Sequence, residues 1–150
     1  MTTISNDREF RAVLDRLDTT QQRQVAARFV RNVLPLCTDE RIARVMDVAD
    51  DDQASAAQLA EALKTAKATT LDCHTRCGAE GDWEAQAGYF VARAAIAALT
   101  PPGQLPGGSA WQAAMSARMA QTSKSIVSGE SGSGPESEQQ YAILSAYIKA

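Results

Sequence analysis

Two clusters of alanine constrain this chain more than any other feature. Five alanines lie between Ala92 and Ala98 and five more between Ala110 and Ala120, ten of the 28 in a chain of 150 residues. Alanine enters a helix without losing side-chain entropy, and small side chains let neighbouring helix axes approach closely. The clusters therefore predict two close-packing helices, each carrying a lone arginine, Arg93 and Arg118. Nowhere does a sustained run alternate β-branched and polar residues, so no sheet is expected. The length suits one domain that can bury a core without staples.

Periodicity places the remaining helices. Phe10, Val13, Leu14 and Leu17 fall at i, i+3, i+4 and i+7, one apolar stripe of a helix over about 7–17. Asn6 and Glu9 have the spacing of a capping box, and Asp18-Thr19-Thr20 supplies the next N-cap, with Gln22 three residues after Thr19. A second helix carries Val25, Phe29, Val30 and Val33, and Pro35 should end or kink it. A short third helix opens at Thr38-Asp39-Glu40 with Ile42, Val45, Met46 and Ala49 inward. A long fourth helix runs from Ser55 toward Cys77. The fifth, from Trp83 to Leu99, is apolar on nearly all sides and belongs at the centre of the bundle. Loops are expected at about 100–108, rich in Pro and Gly, and at 128–135, rich in Gly and Ser. Between them Ser109 and Gln112 predict another capping box, and a last helix runs from Glu136 to Lys149. The expectation is an all-α single-domain bundle of six or seven helices.

Composition removes several functions. A net charge of -3 argues against nucleic acid, whose phosphates require clustered Lys and Arg. His74, the one histidine, forbids a di-iron bundle, which needs Glu-x-x-His on two helices, and leaves a single imidazole for any triad. No phosphate-binding glycine motif is present. Gly107-Gly108-Ser109 could present amides to an anion, but such a segment is ordinarily a loop-to-helix junction. The segment from Ser55 to Cys73 suggests a DNA-binding helix-turn-helix only faintly, lacking a turn glycine and cations. No apolar run approaches the roughly 20 residues of a membrane span. The first residues carry no secretory pattern, and an odd cysteine count favours a reducing cytoplasm.

Three constellations could carry binding. Cys73, His74 and Cys77 are possible metal ligands one helical turn apart, yet a structural zinc site needs four ligands and a redox pair is more often Cys-x-x-Cys at a helix N-terminus. Buried thiols beside an exposed histidine are the plainer reading. Arg93 and Arg118 sit among alanines on the segments expected to be most buried. Such a guanidinium must be paired, with Glu84 for example, or extended to solvent; otherwise it lines a groove for an acidic partner. Asp50, Asp51 and Asp52 form an acidic run suited to a helix N-terminus or to recognition on an exposed loop.

The run Arg31-Asn32-Val33-Leu34-Pro35-Leu36, then Asp39-Glu40-Arg41, then alanine-rich helices through Tyr89 to Ala98, resembles the small all-α immunity-like proteins of bacterial polymorphic-toxin systems. It spans about Arg28 to Leu99; the segment after Pro101 has no counterpart, and histidines expected in the alanine-rich helices are missing. The resemblance implies a non-enzymatic protein that works by binding, with no cofactor. The leading expectation is a non-catalytic protein–protein interaction module that binds another protein or itself, not nucleic acid or membrane, through its loops and Asp50–Asp52. The alternatives are a small-molecule or metal-binding protein using Cys73, His74, Cys77 and a pocket near Arg93, and a purely structural homo-oligomer such as a homodimer.

Overall fold

A computed structural model describes residues 4–77, 83–128 and 136–149. Its seven helices are α1 (Asp7–Asp15), α2 (Thr19–Val33), α3 (Glu40–Ala49), α4 (Ala56–Cys77), α5 (Trp83–Leu99), α6 (Ser109–Ser128) and α7 (Glu136–Lys149), with short 3-10 turns at Leu34–Leu36 and Pro102–Gln104. There is no strand among the described residues. The all-α bundle is as the alanine clusters and periodicities predict. No helix of the described residues is long and apolar enough to cross a membrane.

The centre of the bundle is shared. α5 packs most extensively on α6 and then on α4, while α2 crosses both α5 and α6. On α6 the alanines explain this directly: Ala110, Ala113, Ala114, Ala117 and Ala120 fall at i, i+3, i+4, i+7 and i+10, and all five are fully buried. A stripe without side chains beyond Cβ lets facing backbones come close. On α5, Ala92, Ala94, Ala95, Ala97 and Ala98 are buried too, but Arg93 is exposed. The helix therefore keeps one solvent-facing edge, contrary to the expectation of a helix enclosed on all sides. Around this seam sits an aromatic hub. The Phe10 ring lies 5.6 Å from Phe29, 6.2 Å from Trp111 and 5.3 Å from Tyr141, between centroids, so α1, α2, α6 and α7 meet on one fully buried side chain.

Helix ends follow the sequence with instructive shifts. Asn6 accepts the Glu9 amide at 2.9 Å as expected, but the Glu9 carboxylate reaches back beyond Asn6 to the Ser5 amide and hydroxyl. The cap of α2 is one residue earlier than Thr19–Gln22: Asp18 accepts from the Gln21 amide, and the Gln21 side chain accepts from the Asp18 amide. Ser55 and Gln58 close a reciprocal box of the same kind at the start of α4. α2 ends at Val33, and Pro35 is accommodated in the 3-10 turn that follows.

The box predicted from Ser109 and Gln112 does not form. Gln112 turns its amide to the Pro106 carbonyl at 2.6 Å, and the Ser109 hydroxyl is buried without a hydrogen-bond partner. Gln22, buried in α2, reaches the start of α6 instead; its Oε1 faces the Ala110 amide at 3.5 Å while its Nε2 donates to Leu14 O. This junction requires both of its glycines. Gly107 and Gly108 have φ of 79° and 91°, and an added Cβ would lie 2.6 Å from the Trp111 ring at the first and 2.7 Å from Gln22 Oε1 at the second.

Candidate functional site

The residues singled out from sequence do not converge on one place. Arg118 is held on the seam of α1, α6 and α7. Its guanidinium donates to both Asp7 carboxylate oxygens at 2.8 and 2.9 Å and to Gln140 Oε1 at 2.9 Å. Gln140, fully buried, passes the network on by donating to Ala114 O, and Tyr141 donates its hydroxyl proton to Asp7 at 2.7 Å. The Arg118 guanidinium holds the Asp7 carboxyl below its ordinary range, against the opposing effect of burial, with the Tyr141 hydroxyl helping. This is the structural ion pair foreseen for an arginine among alanines, with Asp7 as the partner. The Glu84 side chain lies outside the described residues.

Arg93 projects outward, its guanidinium 5.8 Å from the centre of the Tyr89 ring.

The acidic run spans the end of α3 and the exposed turn that follows it. Asp50 is the C-cap of α3, at the negative end of the helix rather than the positive end. The last carbonyls are accordingly met by donors from α2. Arg23 donates to Ala49 O and Asp51 O, both at 2.8 Å, and Gln24 donates to Asp50 O at 3.2 Å. Arg31 pairs with Asp50 at 2.6 Å and with Asp47 at 2.7 Å. Asp51 caps the following turn by accepting the Gln53 amide, and Asp52 is exposed. Two of the three carboxylates thus work within the chain, Asp50 tying the end of α3 to α2 and Asp51 closing the turn that follows.

Cys73 is buried on α4. His74 and Cys77 belong to the same helix, but their side chains lie outside the described residues. Among the described residues no group of three His, Cys, Asp or Glu could hold a metal ion.

What the structure adds is a groove of about 370 Å³ between α3 and α4. The connection between these helices is short, so they lie side by side and antiparallel. One wall is Arg41, Arg44, Val45 and Val48; the other is Gln58, Glu61, Ala62 and Thr65. Both sets have the spacing i, i+3, i+4, i+7, a single face of each helix. The floor is apolar: Val45 and Ala62 are each 5% exposed, and Val48 is half-buried.

Charge is distributed unevenly along this groove. Arg41 pairs with Asp39 at 2.6 Å and Asp72 at 2.7 Å, and these carboxylates raise its pKa further. Arg44 and Glu61, on opposite walls, are exposed; among the described residues neither has a hydrogen-bond or ion-pair partner. Sequence reasoning placed Val45 in the core and did not single out the groove. Its trace was the repetition of one spacing on both sides of a short turn, which is informative only once the two helices are known to be neighbours. Searches against protein-family models, curated proteins and solved structures find no match to this chain.

Proposed function

We propose that this chain is a non-catalytic protein–protein interaction module, of the immunity type its sequence resembles, with the α3–α4 groove in its recognition surface. The observation that supports this reading is the groove's composition. An apolar floor bordered by Arg44 and Glu61, which have no side-chain partner among the described residues, has the anatomy of an interface, with a dry centre and a polar rim. The segment that carries the resemblance, Arg28 to Leu99, contains both walls, and Arg41 of its Asp39-Glu40-Arg41 run lies on one of them.

Recognition is accordingly assigned to the groove in place of the acidic run, where Asp50 is engaged by Arg31. Nor does the net charge of -3 need to attract a basic partner, because local complementarity sets register and specificity. The test is capture of a partner by the full chain in its source cell, followed by reconstitution from two purified proteins. A stoichiometric complex, weakened when Val48→Asp places a charge on the groove floor, is the expected result. Self-association alone, or recovery of no partner, would overturn the proposal.

A further inference from the structure

The α3–α4 groove also restricts what its partner can present, an inference that rests on the interaction-module reading. Each wall spans eight residues, from Arg41 to Val48 and from Gln58 to Thr65, or about 10 Å over seven steps of roughly 1.5 Å. That is two helical turns, bounded on both sides by helix and open along its length. A small ligand needs a concave site that encloses most of its surface. A third helix needs only a channel between two others, into which it sets anchors at i, i+3 or i+4, and i+7.

We infer that the groove receives one amphipathic α-helix of a partner protein, whose apolar stripe covers Val48 and Ala62 and whose flanks carry a carboxylate toward Arg44 and a cationic side chain toward Glu61. The charge pattern carries the argument. Arg41 is already satisfied by Asp39 and Asp72, whereas Arg44 and Glu61 stand on opposite walls without a partner among the described residues. An acid on one flank of the incoming helix and a base on the other pairs both at once. Reversing that helix, or exchanging its flanks, places like charges together, which is how rim charges fix orientation.

The test uses the full chain and synthetic helices of about 15 residues, long enough to hold helical structure when constrained. The probe peptide carries leucines at i, i+4 and i+7, glutamates on one flank and lysines on the other; a control carries glutamates on both flanks. Amide chemical-shift mapping and fluorescence anisotropy follow binding. The expected result is shifts centred on α3 and α4, with affinity falling about tenfold in Arg44→Glu, as for loss of a rim pair. The peptide with glutamates on both flanks should bind Glu61→Arg better than the original chain. Absence of binding by either peptide, shifts centred on another face, or indifference to Arg44→Glu would overturn the inference. So would light scattering showing a dimer of this chain that Val48→Asp returns to monomer. A native partner captured independently of these substitutions would leave the interaction module standing and remove only the helix in the groove.

Discussion

Arg118 and Arg44 each follow an alanine on a helix, yet the two serve opposite ends. The Arg118 side chain is 21% exposed, and its guanidinium bonds Asp7 and Gln140. Those partners come from α1 and α7, so one side chain joins three elements. Arg44 is exposed at the edge of the α3–α4 groove and has no side-chain hydrogen-bond or ion-pair partner among the described residues. A guanidinium enclosed and satisfied by its own chain contributes to stability, and its removal strands the groups it satisfied. One left on a rim costs little to remove and remains available to a partner. The seam of α1, α6 and α7 is therefore structural, and the α3–α4 groove is the place to look for recognition.

The strongest way to break this contrast is at the centre of the seam. Phe10→Ala removes the ring on which Phe29, Trp111 and Tyr141 converge and should cost about 3–5 kcal/mol, the range for burying a cavity in place of a core aromatic. Chemical denaturation measures it; a loss below about 1 kcal/mol would mean that the hub is not where the bundle is held. Arg118→Met comes next. It leaves the buried Gln140 without its guanidinium donor and Asp7 without its pair, and should cost about 2–3 kcal/mol. The same replacement at Arg44 should lie within about 0.5 kcal/mol of the original protein. Equal losses at the two positions would erase the distinction between seam and groove.

How far the sequence alone could carry this contrast depends on the residue. Helices were legible wherever one face repeats, as in Phe10, Val13 and Leu14, because burial of that face is decided by local spacing. Caps were legible to within a residue, as with Asp18 and Gln21, since a short polar side chain meets an amide three positions away. Arg118 and Arg93 looked alike, each a lone cation among alanines. What separates them is Asp7, 111 residues distant from Arg118, and no local pattern reports it. The Asp50–Asp52 run shows the same limit: its charge was plain, but the donors that engage it lie on α2. Ser109 followed by Gln112 promised a cap that Gln22 and Pro106 displaced. The groove was hidden for the corresponding reason, being defined by two helices rather than by one.

Smaller perturbations sharpen the boundary between local and long-range contributions. Asp18→Ala removes one half of a complete capping box and should cost about 1 kcal/mol, the usual value for a lost N-cap. Asp18→Asn keeps an acceptor in place and should recover most of that stability in the same denaturation experiment. If the alanine variant is as stable as the original, the seam and core must hold the start of α2 without help from its cap.

The smallest expected effect has opposite signs at two carboxyls on either side of the seam. Asp7 is held below its ordinary 3.8, chiefly by the hydrogen bond from Arg118. Its contribution is present above pH 3.8 and is lost as the pH falls through its folded-state pKa, because the unfolded chain then binds the proton more readily. Glu136, 5% exposed at the start of α7, is pushed above its ordinary 4.5 by burial, although the amide of Asn32 donates to it at 2.7 Å. There the folded protein holds the proton more tightly, so its stabilising contribution is complete below pH 4.5 and disappears as the pH rises through the folded-state pKa. Glu136→Gln keeps an oxygen for Asn32 and removes the ionisation. It should therefore raise stability at neutral pH, by a margin that shrinks as the pH falls toward 4.5. Asp7→Asn should lower stability at neutral pH, with a deficit that shrinks only below 3.8. Denaturation midpoints for the three proteins across acid and neutral pH decide the matter. If the two variants changed the pH profile in the same direction, α7 would not be docked with one carboxyl paired to a cation and the other buried against an amide.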